Sequence, residues 1–363
     1  MSSLYETIGR KVLFSFDAER AHSLSINALR AGLHPRNQAQ KHAELAVDIA
    51  GLSFPNPLGM AAGYDKNANV PDALLAMGFG HAEIGTVTPL AQPGNPKPRI
   101  FRLIEDRAVI NRLGFNSEGH DAVRQNLVGR SARTGIVGVN LGANKTSTDF
   151  AADYVAGINI FSGLARYFTI NISSPNTPGL RALQGADPLA DLLRRVGDAR
   201  AEQATKHGRI PVFLKIAPDL SEDEMDAIAK AVQASDIDAL IVSNTTFSRS
   251  GLTDREFSDE VGGLSGRPLF DRSTIVLAKM RLRLGTQMPL VGVGGVHNAD
   301  TAWAKLEAGA SVVQLYSALV YEGPGLPGKI LDGLAARLES EGLSSISQIT
   351  GRAADEWAAK PLD

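Results

Sequence analysis

Eight short apolar runs, amphipathic stretches between them, and a polar or glycine group closing every run predict the fold class. The chain reads as α/β, a (β/α)8 TIM barrel with an N-terminal helical extension. The runs cover residues 58–62, 82–86, 136–140, 168–172, 212–216, 239–243, 290–293 and 312–316, each of strand length and rich in branched side chains. Segments 188–207, 221–235, 273–284 and 300–308 are amphipathic enough for crossover helices. Alternating β and α units imply a parallel sheet, for which a doubly wound open sheet is the competing architecture.

The residues that close the runs are more informative than their number. In order they are Asp65-Lys66, Thr86, Asn140, Asn171 to Asn176, Lys215, Asn244-Thr245-Thr246, Gly294-Gly295 and Tyr316-Ser317. Any one of these alone is ordinary loop polarity. Together they mark the strand ends that face the active site of a barrel, and they point to one shared site.

The barrel takes residues 44–340, preceded by an extension over 1–43 and followed by a tail over 341–363. The extension reads as two short amphipathic helices. Tyr5, Ile8, Val12 and Phe16 recur at helical spacing, as do Ala21, Leu24 and Ala28, and Asp17 is placed to cap the second helix. Six basic residues against three acids leave this stretch at a net +3. Charge would then supply only about 3 kcal/mol toward an anionic bilayer, so buried apolar side chains would have to supply the rest. Helices that simply pack on the barrel fit the same periodicity. Residues 87–130 insert between the second and third strands, with a hairpin over 99–110. Residues 175–180 form a second loop with hinge-like Pro and Gly, a candidate lid. In the tail, Glu356, Trp357 and Lys360 suggest a surface helix.

Composition excludes several classes. The chain has 363 residues, room for one large α/β domain or two ordinary ones. A net charge of −2 and a pI near 6.4, without a long Lys/Arg block, argue against nucleic acid as a partner. No cysteine is present, which removes disulfides, thiolate metal sites, iron–sulfur ligation and a cysteine nucleophile. The seven histidines show no HxH, HxxxH or HExxH spacing, so no metal site is expected. Neither a signal-peptide core nor a run of 18 apolar residues occurs, which predicts a soluble or peripheral protein of the cytoplasm.

Within the site, the stretch Asn171-Ile172-Ser173-Ser174-Pro175-Asn176-Thr177 crowds amides and hydroxyls onto the end of a buried strand. Unpaired buried amides cost about 1–3 kcal/mol each, so a polar ligand should pair with them. Ser174 has no histidine neighbour in sequence, and a turn serine satisfied by its own backbone is the competing reading. Gly292-Val293-Gly294-Gly295-Val296-His297 resembles a dinucleotide fingerprint, but His297 stands at the third glycine position and no acidic residue follows where the ribose partner belongs. After a seventh barrel strand, with Tyr316-Ser317 after the eighth, the glycines instead suggest a phosphate cradle. Lys215 lies in an otherwise apolar strand and should face an anion or an electron-rich ring. Lys66 sits beside Asp65, which leaves a surface-loop reading open.

Seven motifs together resemble dihydroorotate dehydrogenase across about residues 10–335: Ala61-Ala62-Gly63-Tyr64-Asp65-Lys66, Ile84-Gly85-Thr86-Val87-Thr88-Pro89, Asn111-Arg112-Leu113-Gly114-Phe115-Asn116, Asn171 to Thr177, Lys215-Ile216-Ala217-Pro218-Asp219, Asn244-Thr245-Thr246 and Gly262 to Leu269. The chain is most similar to the membrane-associated, quinone-reducing class, which has an FMN-binding barrel, an N-terminal helical extension and a serine base. The soluble classes use a cysteine base. This chain lacks cysteine and carries Ser174 in the matching motif.

The resemblance implies oxidation of dihydroorotate to orotate in pyrimidine biosynthesis, with FMN as cofactor and a membrane quinone as final acceptor. Ala62, Gly63, Lys66, Thr86, Asn140, Asn171, Lys215 and Ser243 would surround the flavin ring and ribityl chain. Gly266, Gly295, Tyr316 and Ser317 would hold its phosphate. Lys66, Asn111, Arg112, Leu113, Gly114, Phe115, Asn171, Asn176, Asn244 and Thr245 would meet the substrate, a small cyclic imide with a carboxylate. Ser174 would take a ring proton as base, with Thr177 or a bound water relaying it outward, and turnover would rise with pH. His22 and Arg102 would line a quinone tunnel under the N-terminal helices, with Tyr316 near its inner end. The protein would dock peripherally on the cytoplasmic face of the inner membrane. Another FMN-barrel oxidoreductase, or a non-catalytic flavin- or phosphate-binding barrel, are the alternatives.

Overall fold

A computed structural model describes residues 9–38, 41–130, 134–174, 176, 177 and 179–362. Among the described residues two helices come first, α1 (Arg10–Phe14) and α2 (Ala18–Arg30). The Asp17 carboxylate accepts the N–H groups of Glu19 and Arg20 at 3.0 and 3.1 Å, so it caps α2 as its position suggests. Tyr5 and Ile8 lie outside the described residues. A hairpin of β1 (Val47–Ile49) and β2 (Leu52–Phe54) follows. Phe54 meets His81 edge-on, 5.1 Å between ring centroids, and so covers the N-terminal mouth of the barrel.

Strands β3 (Leu58–Met60) and β4 (His81–Val87) open the barrel. The insertion then builds a hairpin of β5 (Ile100–Leu103) and β6 (Ala108–Asn111). The barrel resumes with β7 (Ile136–Leu141), β8 (Tyr167–Asn171), β9 (Val212–Ile216) and β10 (Ala239–Val242). β11 (Gly263–Gly266) leaves it to pair antiparallel with β6. β12 (Leu290–Val293) and β13 (Val312–Leu315) finish it. The eight barrel strands close in the order β10-β12-β13-β3-β4-β7-β8-β9, all in parallel. Closure decides against the open doubly wound sheet.

Every residue of β4, β7, β8 and β9 is buried, which is why these strands read as continuous apolar runs rather than as alternation. The covering helices are α3 (Pro71–Ala76), α4 (Gly119–Val128), α5 (Phe150–Phe161), α6 (Ala186–His207), α7 (Glu222–Gln233), α8 (Phe270–Leu284), α9 (Ala299–Glu307), α10 (Ser317–Glu322) and α11 (Leu326–Ser340). Ser221 and Glu224 form a capping box that fixes the start of α7, and Gly208 at φ +75° ends α6 where a side chain would be strained. In the tail, α12 (Ala354–Ala358) packs on α8, with Trp357 edge-on to Phe270 and Ile346 and Ile349 fully buried. The tail is therefore anchored as well as partly exposed.

Glu19 ties the extension to the chain entering the β5–β6 hairpin, pairing with Arg99 and with the exposed Lys97. Glu19 on α2 takes both Nε and Nη2 of Arg99, at 3.1 and 2.6 Å, and Arg99 is only 6% exposed. Arg99 also donates to the carbonyls of Pro93 and Asn95, so losing Glu19 would leave it partly satisfied. Glu19→Ala should then cost about 2 kcal/mol, between exposed and buried pairs, and concentrate that loss on α2. Limited proteolysis checks this. Cleavage near α2 should accelerate while the barrel stays resistant, and a wild-type cleavage pattern would show that α2 is held elsewhere.

Candidate active site

A cavity of about 410 Å³ opens at the C-terminal ends of the barrel strands and runs outward between α2 and the β5–β6 hairpin. Of the site residues singled out in the sequence, all but Asn140, Arg112 and Thr177 line it. Arg112 turns away: its Nη1 pairs with Glu260 at 2.5 Å and its Nη2 donates to the Pro98 carbonyl at 3.0 Å. Asn140 is fully buried one layer below. Thr177 is buried beside the cavity, and its Oγ1 has no hydrogen-bond partner among the described residues.

Ser174 follows β8 by three residues and is 5% exposed. Among the described residues its hydroxyl takes one hydrogen bond, from the Asn176 N–H at 3.2 Å. The backbone turn that the competing reading required therefore exists, yet the side chain still reaches the cavity. Asparagines surround it. Asn176 Nδ2 donates to the Asn111 carbonyl at 3.2 Å, which ties the loop after β8 to the end of β6. Asn171 Nδ2 donates to Thr86 Oγ1 and Asn140 Oδ1, both at 3.1 Å. Asn244 Nδ2 donates to Ser173 Oγ at 2.9 Å. Phe115, at φ +52° beside Gly114 at φ +69°, is held in a left-handed turn against the same wall.

Two lysines face the cavity. Lys215 on β9 is 5% exposed and has no hydrogen-bond partner among the described residues. Burial pushes its pKa down, and the carboxylate of Glu83 opposes that shift. Lys66 donates to Asn116 Oδ1 at 2.8 Å; burial, with the Arg99 charge adding to it, lowers its pKa to about 8. Both are cations that an anionic ligand would stabilise.

At the far end the backbone presses close. A side chain on Gly295 would put its Cβ 2.5 Å from Phe270 Cα, and one on Gly266 would lie 2.5 Å from the Arg107 carbonyl. Only glycine fits at these two positions. Arg107 and Arg267 share Glu322, at 2.7 and 3.1 Å, which leaves this rim with surplus positive charge. Ser265 and Ser317 bond each other across it at 2.8 Å.

At the outer end, His22 meets Tyr316 and Arg102 meets the end of α1. The Tyr316 hydroxyl is 3.5 Å from His22 Nδ1, and burial lowers the His22 pKa to about 4, so the ring is neutral. The guanidinium of Arg102 donates to the carbonyls of Leu13, Phe14 and Phe16 and lies 4.6 Å over the Phe14 ring. Its charge thus also closes the C-terminal end of α1.

Sequence reasoning gave no individual role to Ser173 or Ser265, which lay inside motifs it named, and passed over Glu83 and Arg181 altogether. Arg181 donates to the carbonyls of Ser173 and Thr245 and pairs with Asp219 at 3.2 Å, which fastens the loop after β8 over the site. Glu83 carried the signal that exposed Lys215, a charge inside an apolar strand. The other three sit in loops or in a glycine-rich strand, where polarity is ordinary.

Comparison with known proteins agrees with this geometry. Residues 44–338 match the family model for dihydroorotate dehydrogenase. Proteins named dihydroorotate dehydrogenase (quinone) from Brucella melitensis and Brucella abortus are 60% identical over 363 residues, all of this chain and all of theirs. The ligand-free enzyme of Eimeria tenella superposes with a TM-score of 0.88 at 38% identity, covering 93% of this chain and 99% of that one. Its complex with ferulenol gives the same TM-score at 37% identity, over 92% and 95%. With a closed barrel, a serine at the end of β8 and full-length relatives of one kind, the chain belongs to the dihydroorotate dehydrogenase family, in its quinone-type class.

Proposed function

We propose that the chain oxidises dihydroorotate to orotate in pyrimidine biosynthesis, with FMN bound across the strand ends, Ser174 as base and a membrane quinone as final acceptor. The observation that carries this is Ser174, buried in a cavity whose wall also presents Asn111, Asn171, Asn176 and Asn244. The residues fit FMN. Lys215 is a buried cation without a hydrogen-bond partner among the described residues, and Gly266 and Gly295 form a cradle in which a Cβ has no room. Ala62, Gly63, Thr86, Asn171, Lys215 and Ser243 would hold the ring and ribityl chain, while Gly266, Gly295, Tyr316 and Ser317 would hold the phosphate. Bound there, FMN supplies the two-electron acceptor that takes hydride from the substrate.

The chain's own groups do the rest. The asparagine amides offer both donors and acceptors to the imide edges and fix the substrate face. Ser174 Oγ takes the proton from the ring carbon beside the one that loses hydride. A serine hydroxyl is a weak base, so the proton must leave quickly. A water on Thr177 Oγ1, which has no hydrogen-bond partner among the described residues, offers the exit and would remove the cost of leaving that group unpaired. Lys215 puts positive charge where electron density gathers. Arg181 and the loop it fastens keep bulk water out.

Lys66 is placed to balance the substrate carboxylate, which makes binding pH-dependent. The ligand is an anion throughout the neutral range, while Lys66 loses its proton near pH 8. Affinity for orotate should therefore hold below that pH and weaken above it, approaching tenfold per unit. Titrating the holoenzyme by flavin absorbance from pH 6.5 to 9 tests this. Lys66→Met should flatten the profile, and a flat wild-type profile would remove Lys66 from the carboxylate.

Quinone access would run under α1 and α2, where Leu13, Phe14, Ala18, Ala21 and Ala28 line the cavity. Val12, Leu24 and Leu33 are exposed apolar residues on the same extension and would enter the bilayer surface. Among the described residues no helix is long and apolar enough to cross a membrane, in keeping with peripheral docking. Docking would be on the cytoplasmic face of the inner membrane. The overall test is spectroscopic. The holoenzyme should be yellow, bleach anaerobically with dihydroorotate and recolour with a quinone; protein that cannot be loaded with FMN would refute the proposal.

A further inference from the structure

We propose that Glu83, buried in the barrel beneath the cavity, is a positioning residue that fixes which way the asparagine amides face at the site. The inference rests on the functional reading above and deepens it. Glu83 lies on β4 with 0% exposure. Its Oε1 accepts Asn140 Nδ2 at 2.7 Å, and its Oε2 accepts the Tyr167 hydroxyl at 3.1 Å and Gln314 Nε2 at 3.0 Å. An ionised carboxylate can only accept, so all three partners must donate to it.

That commitment propagates upward. With Nδ2 of Asn140 turned down to Glu83, its Oδ1 faces the site and accepts Thr86 Oγ1 at 2.6 Å and Asn171 Nδ2 at 3.1 Å. Asn171 Oδ1 then receives the Ser173 N–H at 3.2 Å and the Ser173 hydroxyl at 2.7 Å. The Ser173 proton is spent, so its oxygen accepts Asn244 Nδ2 at 2.9 Å, and Asn244 Oδ1 takes the Thr245 N–H at 2.7 Å. Turning Asn140 or Asn171 over sets donor against donor at the next link. The two ends of an amide are nearly isosteric, so shape alone does not choose between them; the network does. Asn171 and Asn244 both line the cavity on either side of Ser173-Ser174. The donor and acceptor pattern they offer a substrate is thus set from below by one carboxylate at the barrel core, which commits Asn140, and from above by the Ser173 and Thr245 N–H groups.

Charge placement agrees. Glu83 is the carboxylate that opposes the loss of Lys215's proton across the barrel. Of the other ionisable neighbours, burial and the Glu83 charge keep the Tyr167 hydroxyl protonated, and His81, its Nε2 3.3 Å from Gln314 Nε2, is held neutral by burial with a pKa of about 3.

Glu83→Gln replaces a pure acceptor with a group that has one acceptor oxygen facing three donors. Something must turn over, and Asn140 is the link that leads to the site. The double variant Glu83→Gln with Asn140→Asp returns both charge and polarity. In it the introduced amide donates to the introduced carboxylate, whose other oxygen still accepts from Thr86 and Asn171.

The readouts are orotate affinity, from the absorbance shift of the oxidised holoenzyme, and the rate of anaerobic bleaching by dihydroorotate. The single variant should lose at least tenfold in either, with FMN retained, and the double should recover to within about threefold of wild type. A single variant within twofold of wild type, or a folded, FMN-loaded double no better than the single, would overturn the proposal. If the single fails to fold, a folded double with near-native affinity supports it. A neutron structure of the wild-type holoenzyme decides without any variant: Asn140 Oδ1 must face Thr86 and Asn171, and the opposite orientation overturns it. Wild-type holoenzyme that dihydroorotate does not bleach would instead overturn the functional reading and this inference with it.

Discussion

Ser174→Ala should slow anaerobic bleaching of the flavin by dihydroorotate by about 10²–10⁴-fold, the range lost with a positioned general base. The side chain is small and its one hydrogen bond among the described residues is the turn formed with the Asn176 N–H, so the substitution leaves the cavity wall nearly intact. FMN should stay bound and orotate affinity should change little, because the asparagines that would hold the ligand are tied to other partners. Asn171 is locked through Asn140, Asn244 through Ser173, and Asn176 through the Asn111 carbonyl. Among the described residues no imidazole or carboxylate touches Ser174, so its hydroxyl must shed the proton to water. The wild-type bleaching rate should therefore rise with pH. Ser174→Cys offers a thiol with an ordinary pKa of about 8.5, and should retain part of the activity with its rise shifted to lower pH. Stopped-flow absorbance measures all three. An alanine variant that bleaches at nearly the wild-type rate would end the case for a serine base.

The barrel was legible because a strand buried on both faces writes itself as an unbroken apolar run, and eight such runs left little choice of architecture. Lys215 was legible for the converse reason, a charge where nothing polar should be. Glu83 broke the pattern of β4 in the same way, but the strand also holds His81 and, next to its last residue, Thr86, so its polarity blended into the site-end signal. β11 was not legible at all. Its sequence Gly-Leu-Ser-Gly has little strand propensity, and it is a strand because β6, some 150 residues earlier, pairs with it. The Glu19–Arg99 pair is likewise a product of tertiary approach across 80 residues. Asp17, by contrast, acts on N–H groups two and three residues away, and local capping chemistry can be read from a local pattern.

Removing residues 1–43 should abolish quinone reduction while FMN binding and dihydroorotate-driven bleaching persist with a soluble electron acceptor. The division follows from where the contacts lie. The groups around Ser174, Lys215 and the glycine cradle all come from residues after 60, whereas the outer part of the cavity takes one wall from α1 and α2. Without those helices, Tyr316 loses His22, Tyr64 loses its hydroxyl partner Ser25, and Arg102 loses the three carbonyls that hold its guanidinium in place. A long apolar quinone would then meet open water instead of a lined passage, and the exposed Val12, Leu24 and Leu33 would no longer be present to bring the site to a bilayer. The truncation also removes Glu19 from Arg99, the Asn37 bond to the Met77 carbonyl and the Lys41 and His42 contacts with Asp332; Arg99 keeps the Pro93 and Asn95 carbonyls, so the barrel itself should stay folded. Steady-state assays with a quinone and with a soluble acceptor, on the same FMN-loaded sample, separate the two half-reactions. Loss of both activities with FMN retained would mean that the extension shapes the substrate site as well. Unchanged quinone kinetics would mean that electrons leave by another route, and the passage between α2 and the β5–β6 hairpin would have no part in the reaction.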